Sequence, residues 1–551
     1  MEYIIEDFKD IKVLQKQYPD LIFYPIIYGI YIVQVPETAE YQIQKLVKEV
    51  KYARMATLYG LNSEEALQDA GILVFHDYPF GELRGDGILL GFVDTGIDYT
   101  NYNFRFEDGS TRIVSLWDQS IQSENHPEGF AIGTEYTREN INDALQNEDP
   151  LSVVPSKDSV GHGTFLAGVA GGKDRSGDTD YIGAAPDAEF LIVRLKEPAQ
   201  GLKDYYFLKE GVPAYSDSDV LMGMHYIIEK AAALQKPLVL CVGVGNNDGA
   251  HDGTNIIERY LDEITFIPGI AVVVATGNEA NAGHHYKNTL QQGETKTIEL
   301  NVAENENGFI LQIWSKSVDK LLVSMRTPIG QIVEQVPLRP YKQEEISFTL
   351  QESRITITYA YPEINTGGQL IAIRFDKPIP GSWQIDVYGE FILNGNFDAW
   401  LPHVGFIEFN TRFSEPNTES TICIPATSKY VISVGAYDYI DGSLYAGSGR
   451  GSITNGYVQP DLIAPGINVV GPDLIGGTTS LIGTSTSAAI ASGAAALLME
   501  WAITKGNLPT INTRIMSIIL NRGAKRRKGV VYPNNIEGYG QLNLENALAT
   551  I

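Results

Sequence analysis

Residues 91–98 read GFVDTGID: an apolar run ends on Asp94 and is broken at once by Thr95-Gly96. A carboxylate at the C-terminal end of a buried strand stands where open α/β sheets place their sites. Taken alone, an Asp in that position is more often a turn or cap residue. Outward from it, further short apolar runs (Ile88–Val93, Phe190–Val193, Leu238–Val242 and Ile270–Ala275) alternate with helix-period stretches such as Ser218–Leu234 and Thr254–Ile264. Continuous apolar strands between helices predict an α/β fold with a mostly parallel sheet and helices on both faces.

Three other segments carry chemistry-bearing residues. In GHGTFLAGVAG, 161–171, His162 stands between two glycines and opens a helix of small residues. Such a helix can pack deep in a core, and the glycines permit close backbone approach. In GTSTSAAIASGAAALL, 483–498, Ser485 falls at the start of an alanine-rich helix. Free N–H groups and the positive end of the helix dipole favour a developing anion there. Ser485 is equally an N-cap candidate, and Thr484, Thr486 and Ser487 compete for both roles. In VVVATGNEAN, 272–281, Asn278 follows a buried strand and a glycine, a position that a turn residue would also fill.

Together, a carboxylate, an imidazole and a hydroxyl in the order Asp…His…Ser form the machinery of nucleophilic acyl transfer. A serine hydroxyl is a weak nucleophile until a neutral imidazole takes its proton. The imidazole in turn needs the carboxylate to fix its tautomer and stabilise its charged form. The order and local contexts resemble the subtilisin-like serine peptidases, the subtilases. The resemblance implies that Asp94 orients, His162 is the general base, Ser485 is the nucleophile and Asn278 donates to the oxyanion. In subtilisin, removing that donor costs about 2.7–4 kcal/mol of barrier.

Other segments are similar to the same family: GAAPDAEFLIVRL (183–195), IPATSKYVISVGAYD (424–438), PDLIAPG (460–466) and GYGQLN (538–543). Leu240–Gly245 resembles the family's substrate-edge strand, which implies that Gly243, Val244 and Gly245 pair with a peptide backbone by strand addition. The resemblance covers about 87–286 and 420–551. Two departures stand out. The family's Met-Ala/Ser-x-Pro-His after the nucleophile is replaced by Thr486-Ser487-Ala488-Ala489-Ile490, and a second histidine by Phe165. Neither removes a reacting group.

The rhythm of the chain divides it into residues 1–60, a small α/β unit read as strand, strand and helix; 61–287, the first part of the catalytic domain; 288–419, an all-β insert read as a β-sandwich or jelly roll; and 420–551, the second catalytic part. This arrangement resembles the Csp-type germination proteases of spore-forming clostridia. That resemblance implies an autoprocessed N-terminal prodomain, cut within Met55–Ser63 and able to stay bound, and an insert that rigidifies the catalytic domain. It further implies a role in germination, with the zymogen of a spore-cortex hydrolase as substrate. A glycan-binding insert is the weaker reading.

Composition limits the alternatives. The 551 residues are 44% apolar and carry 41 basic against 68 acidic side chains, a net charge of −27. Such a surface repels phosphate and anionic lipid, so neither nucleic acid nor membrane is an expected partner; a protein or peptide substrate is. Two cysteines cannot make a disulfide scaffold. No basic-then-apolar leader opens the chain, so a cytoplasmic or spore-associated location without a signal peptide is expected. No cofactor or metal is expected. The Asn246–Asp252 stretch offers oxygen ligands without a recognisable calcium spacing, His284-His285 reads as surface, and KRRK at 525–528 as a solvated turn. The competing reading is a catalytically silent, protease-shaped regulatory module whose cleft is filled by its own prodomain.

Overall fold

The computed structural model describes residues 2–551 except 8, 28–29, 37–38, 56–62, 78–81, 178, 317, 349–351 and 453–456. It divides into two units, 1–61 and 62–551. The cleavage segment expected within Met55–Ser63 falls almost wholly outside the described residues.

In the first unit, β1 (Glu2–Glu6), α1 (Ile11–Gln17), β2 (Ile22–Ile27), β3 (Ile30–Gln34), α2 (Glu40–Glu49) and β4 (Tyr52–Met55) follow in order. The strands form an antiparallel sheet in the order β2-β3-β1-β4, a split β-α-β arrangement. Leu14 from α1 and Ile43 and Leu46 from α2 pack with Ile5, Phe23 and Val33 of the sheet in one small core. The strand-strand-helix reading therefore lacked β1, α1 and β4.

The second unit is built on an eight-stranded sheet. It contains β5 (Leu89–Asp94), β6 (Ile113–Asp118), β7 (Thr134–Thr137), β8 (Glu189–Arg194), β9 (Leu238–Val242) and β10 (Ile270–Ala275), with Ile432–Tyr437 and Leu462–Pro465 beyond β10. Only β7, at one edge, runs antiparallel to its neighbour. The strands are apolar at nearly every position because successive residues feed two different cores. Leu90 and Phe92 of β5 join one core with the helices His162–Gly171 and Thr484–Met499. Leu89 and Val93 join the other, with the helices Asp217–Leu234 and Ile256–Ile264. Thr484–Thr504 is long and apolar enough by composition to cross a membrane, but 89% of its apolar window is buried inside the protein.

Between His285 and Phe413 the chain forms a six-stranded and a five-stranded antiparallel sheet. Strand Gly381–Phe391 alternates buried and half-buried positions along most of its length. Its Trp383, Ile385 and Val387 meet Ile313, Ile357 and Ile373 of the other sheet in a third core. The architecture is an α/β fold, a mostly parallel sheet with helices on both faces, with inserted antiparallel sheets.

Candidate active site

Strand β5 lies between β8 and β9 in the sheet and delivers Asp94 at its C-terminal end, 2% exposed. Asp94 Oδ1 accepts the Thr95 N–H at 2.7 Å and faces His162 Nδ1 at 2.8 Å. A carboxylate oxygen can only accept here, so Nδ1 carries the proton and Nε2 is the ring's basic nitrogen.

His162 opens its helix at the mouth of that strand. The approach is so close that a Cβ on Gly163 would lie 2.2 Å from the Gly96 carbonyl oxygen. Asp158 secures the helix start: Oδ1 accepts from Val160 N and Gly161 N, and Oδ2 from the Thr164 N–H and hydroxyl. Burial alone would push the His162 imidazole down. The Asp94 charge and hydrogen bond, with Asp158 behind, outweigh it and hold the ring above its ordinary value.

The third group arrives from the other end of the chain. Every residue of the helix Thr484–Met499 is buried except Ser485, whose Oγ lies 3.2 Å from His162 Nε2. The rival hydroxyls are committed elsewhere. Thr486 donates to the Gly483 carbonyl at 2.7 Å and Ser487 to the Ala464 carbonyl at 3.0 Å. Thr484 Oγ1 accepts the Gly277 N–H at 2.9 Å. Gly483 precedes the helix at φ 152°, and a Cβ there would crowd the Asn278 amide at 3.4 Å and Ser485 Oγ at 3.7 Å. Asn278 Oδ1 accepts the Thr484 N–H at 3.1 Å. Ser485 sits in the helix's first turn, where a backbone N–H has no intrahelical partner.

Gly243, Val244 and Gly245 continue past the last ladder pair of β9, Val242 with Val274, and are half-buried. A Cβ on Gly243 would lie 3.4 Å from both Asp94 Oδ2 and His162 Cε1, so this segment runs beside the three side chains. Asp158 was not singled out from sequence, and Thr484 was named only as a competitor of Ser485. An acidic residue four positions before His162 was the available signal for the first.

The surface reading of His284-His285 is corrected, and two further readings gain partners. His284 and His285 are 4% and 1% exposed, paired with Glu279 and Asp398 at 2.9 Å each. His285 also stacks on Trp400. The basic cluster is tied down over most of its length: Lys525 bonds the Asp69 carbonyl at 2.6 Å, Arg526 the Tyr539 and Asn521 carbonyls, and Arg527 pairs with Glu537. In the Asn246–Asp252 stretch the carboxylate of Asp248 is engaged by Tyr206 and Gln312 and the Asn246 oxygen by Asp248 N–H, so protein donors already use these oxygens.

A mostly parallel sheet with Asp, His and Ser converging at its strand ends is the arrangement found in serine peptidases of the α/β type. The subtilase family (peptidase S8) profile matches residues 85–308 and 394–540, and the chain belongs to that family. The Clostridium perfringens CspB protease structure matches with a TM-score of 0.78 and 31% identity, over 88% of this chain and 96% of that one. The minor extracellular protease Vpr of Bacillus subtilis is 32% identical over 84% of this chain and 52% of its own length. Subtilisin-like protease SBT3.5 of Arabidopsis thaliana is 23% identical over 75% of this chain and 56% of its own. The chain thus spans about half the length of these two curated relatives. Within the family, its structural likeness is to the CspB protease.

Proposed function

We propose that the chain cleaves protein substrates through an acyl-enzyme, with Ser485 as nucleophile, His162 as general base and then general acid, and Asp94 as the orienting carboxylate. The observation that carries this reading is the continuous line from Asp94 Oδ1 through the imidazole to Ser485 Oγ, 2.8 Å and 3.2 Å long. Ser485 Oγ attacks the scissile carbonyl while Nε2 takes its proton. The imidazolium, stabilised by Asp94, then passes that proton to the leaving amine. The Asn278 amide and the Ser485 N–H stabilise the oxyanion, and the Gly243–Gly245 backbone pairs with the substrate strand. The test is treatment with a fluorophosphonate and mass mapping of the adduct. Phosphonylation on Ser485, absent from Ser485→Ala, supports the reading; an unlabelled but folded wild type contradicts it.

Residues 1–60 are, on this reading, a prodomain removed by self-cleavage, and the inserted sheets, of jelly-roll type, rigidify the catalytic framework. The substrate is a zymogen such as a spore-cortex hydrolase, met in the cytoplasm or spore during germination. Support comes from the likeness to the CspB protease and from the separate compact unit at residues 1–61. Intact mass tests the self-cleavage: wild type releases a fragment of about 60 residues, the size of that unit, on denaturation, and Ser485→Ala stays whole.

A further inference from the structure

Glu279 immediately follows Asn278, His403 lies in the loop between strands Asn396–Trp400 and Arg412–Phe413 of the inserted sheets, and Cys423 lies in the segment that re-enters the main framework. Their ligand atoms all lie within 4.8 Å of one another, with Glu279 and Cys423 buried and His403 half-buried. We propose that Glu279, His403 and Cys423 form a zinc-binding site that ties the inserted domain to the turn carrying Asn278.

The protonation pattern suits a cation. His403 Nδ1 lies 2.7 Å from the Val404 carbonyl oxygen, which can only accept, so Nδ1 carries the proton and Nε2 is the nitrogen free to ligate. Nε2 faces Glu279 Oε1 at 3.8 Å, outside hydrogen-bond range, so no shared proton joins the two acceptors. The carboxylate is already aimed: Oε1 accepts the Val404 N–H at 2.8 Å, and Oε2 is held by His284 Nδ1 at 2.9 Å and Asn247 Nδ2 at 3.0 Å. Outer hydrogen bonds of this kind orient metal ligands. The Cys423 sulfur takes a backbone hydrogen bond from Asn278, a contact that favours a thiolate, and makes a long contact to Asn247 Oδ1, 3.5 Å.

A sulfur, an imidazole nitrogen and a carboxylate oxygen are a zinc donor set with one position left for water. Ligand atoms around a tetrahedral zinc sit about 3.5 Å apart, so small side-chain adjustments close the site. A cavity of about 310 Å³ reaches the His403 side of the site, lined there by His403, Asn247 and Leu401. On binding, the Cys423 S–H bond breaks, a Zn–S bond forms and the proton leaves to water, with no change of oxidation state. Cys423 N also donates to the Thr276 carbonyl at 2.9 Å, two residues before Asn278, so the metal grips this turn from both sides.

The test titrates the full chain, stripped by a chelator, with ZnCl2 against a chromophoric indicator, and with CoCl2 for its absorption spectrum. Expected are one zinc per chain, a thiolate-to-cobalt charge-transfer band, and a melting temperature that rises with zinc. Cys423→Ser loses the band and the zinc-dependent rise. His403→Ala, at the half-buried ligand, loses stoichiometric binding even if the cysteine variant does not fold. His284→Gln weakens zinc by about 10–100-fold. Absence of a stoichiometric site in wild type, or zinc binding unchanged in both ligand variants, overturns the proposal. The fluorophosphonate reaction of Ser485 reads the peptidase chemistry separately.

Discussion

Asn278 Oδ1 accepts the backbone N–H of Thr484 at 3.1 Å, one residue before Ser485. That bond fixes which end of the amide is which. The oxygen is held by the helix start, and in the proposed mechanism the NH2 end donates to the oxyanion. Asn278→Leu is expected to lower kcat by about 10²–10³-fold with little change in KM, because the lost bond strengthens only in the transition state. Steady-state kinetics on a denatured protein such as casein check this. A loss confined to KM would place Asn278 in substrate binding instead.

The raised His162 value has a direct kinetic sign. The imidazole must be neutral to accept the Ser485 proton, so activity falls as pH drops through its pKa, and the acidic limb of kcat/KM lies above that of an ordinary imidazole. Asp94→Asn removes the charge that raises the ring. The limb is then expected to move to lower pH while kcat drops by about 10⁴-fold. A pH–rate profile of both proteins reads the two effects together.

Glu258 supplies a stability counterpart. It is fully buried, its carboxylate accepts Asn255 N at 3.0 Å and the Thr427 hydroxyl, and burial pushes it up to about 7. Between its unfolded value of 4.5 and about 7, the folded state holds a proton that the unfolded state has lost, so stability falls as pH rises across that window. Glu258→Gln is expected to flatten this slope and to gain on the order of 2–3 kcal/mol over wild type at pH 8. Denaturant unfolding at pH 5 and pH 8 checks it.

Arg112 is completely buried and donates to four backbone carbonyls, those of Asn103, Gly171, Pro186 and Ala188. Gly171 ends the His162 helix, so this guanidinium ties that helix to the sheet edge. Arg112→Met removes the guanidinium donor from the Gly171, Pro186 and Ala188 carbonyls, while that of Asn103 keeps the Lys173 N–H at 3.1 Å. It is expected to lower stability by about 3 kcal/mol or more, seen as a shifted denaturation midpoint at unchanged slope.

The parallel core was legible because both faces of its strands are covered. Runs such as Leu238–Val242 and Ile270–Ala275 are then apolar at every position, a pattern that needs no knowledge of partners. The positions of Asp94, His162 and Ser485 were legible because each breaks a strand or opens a helix of small residues. The first unit was harder. β4 has four residues, and α1 is seven residues long with Leu14 as its buried side chain, so neither has enough periods to stand out. The burial of His284 and His285 was not legible, because Glu279 sets the first and Trp400 and Asp398, more than a hundred residues on, set the second. The role of KRRK was hidden the same way, since Asp69 and Glu537 meet it only in the folded chain.

In the proposed mechanism Ser485 and His162 act as one unit. Rates of Ser485→Ala, His162→Ala and the double variant on one protein substrate test it most directly. Each single variant is expected to lose about 10⁶-fold in kcat, with the double variant no slower than either, because residues acting together are lost together. A double variant slowed by the product of the two single losses, or a His162→Ala protein that keeps near-wild-type activity, would contradict it.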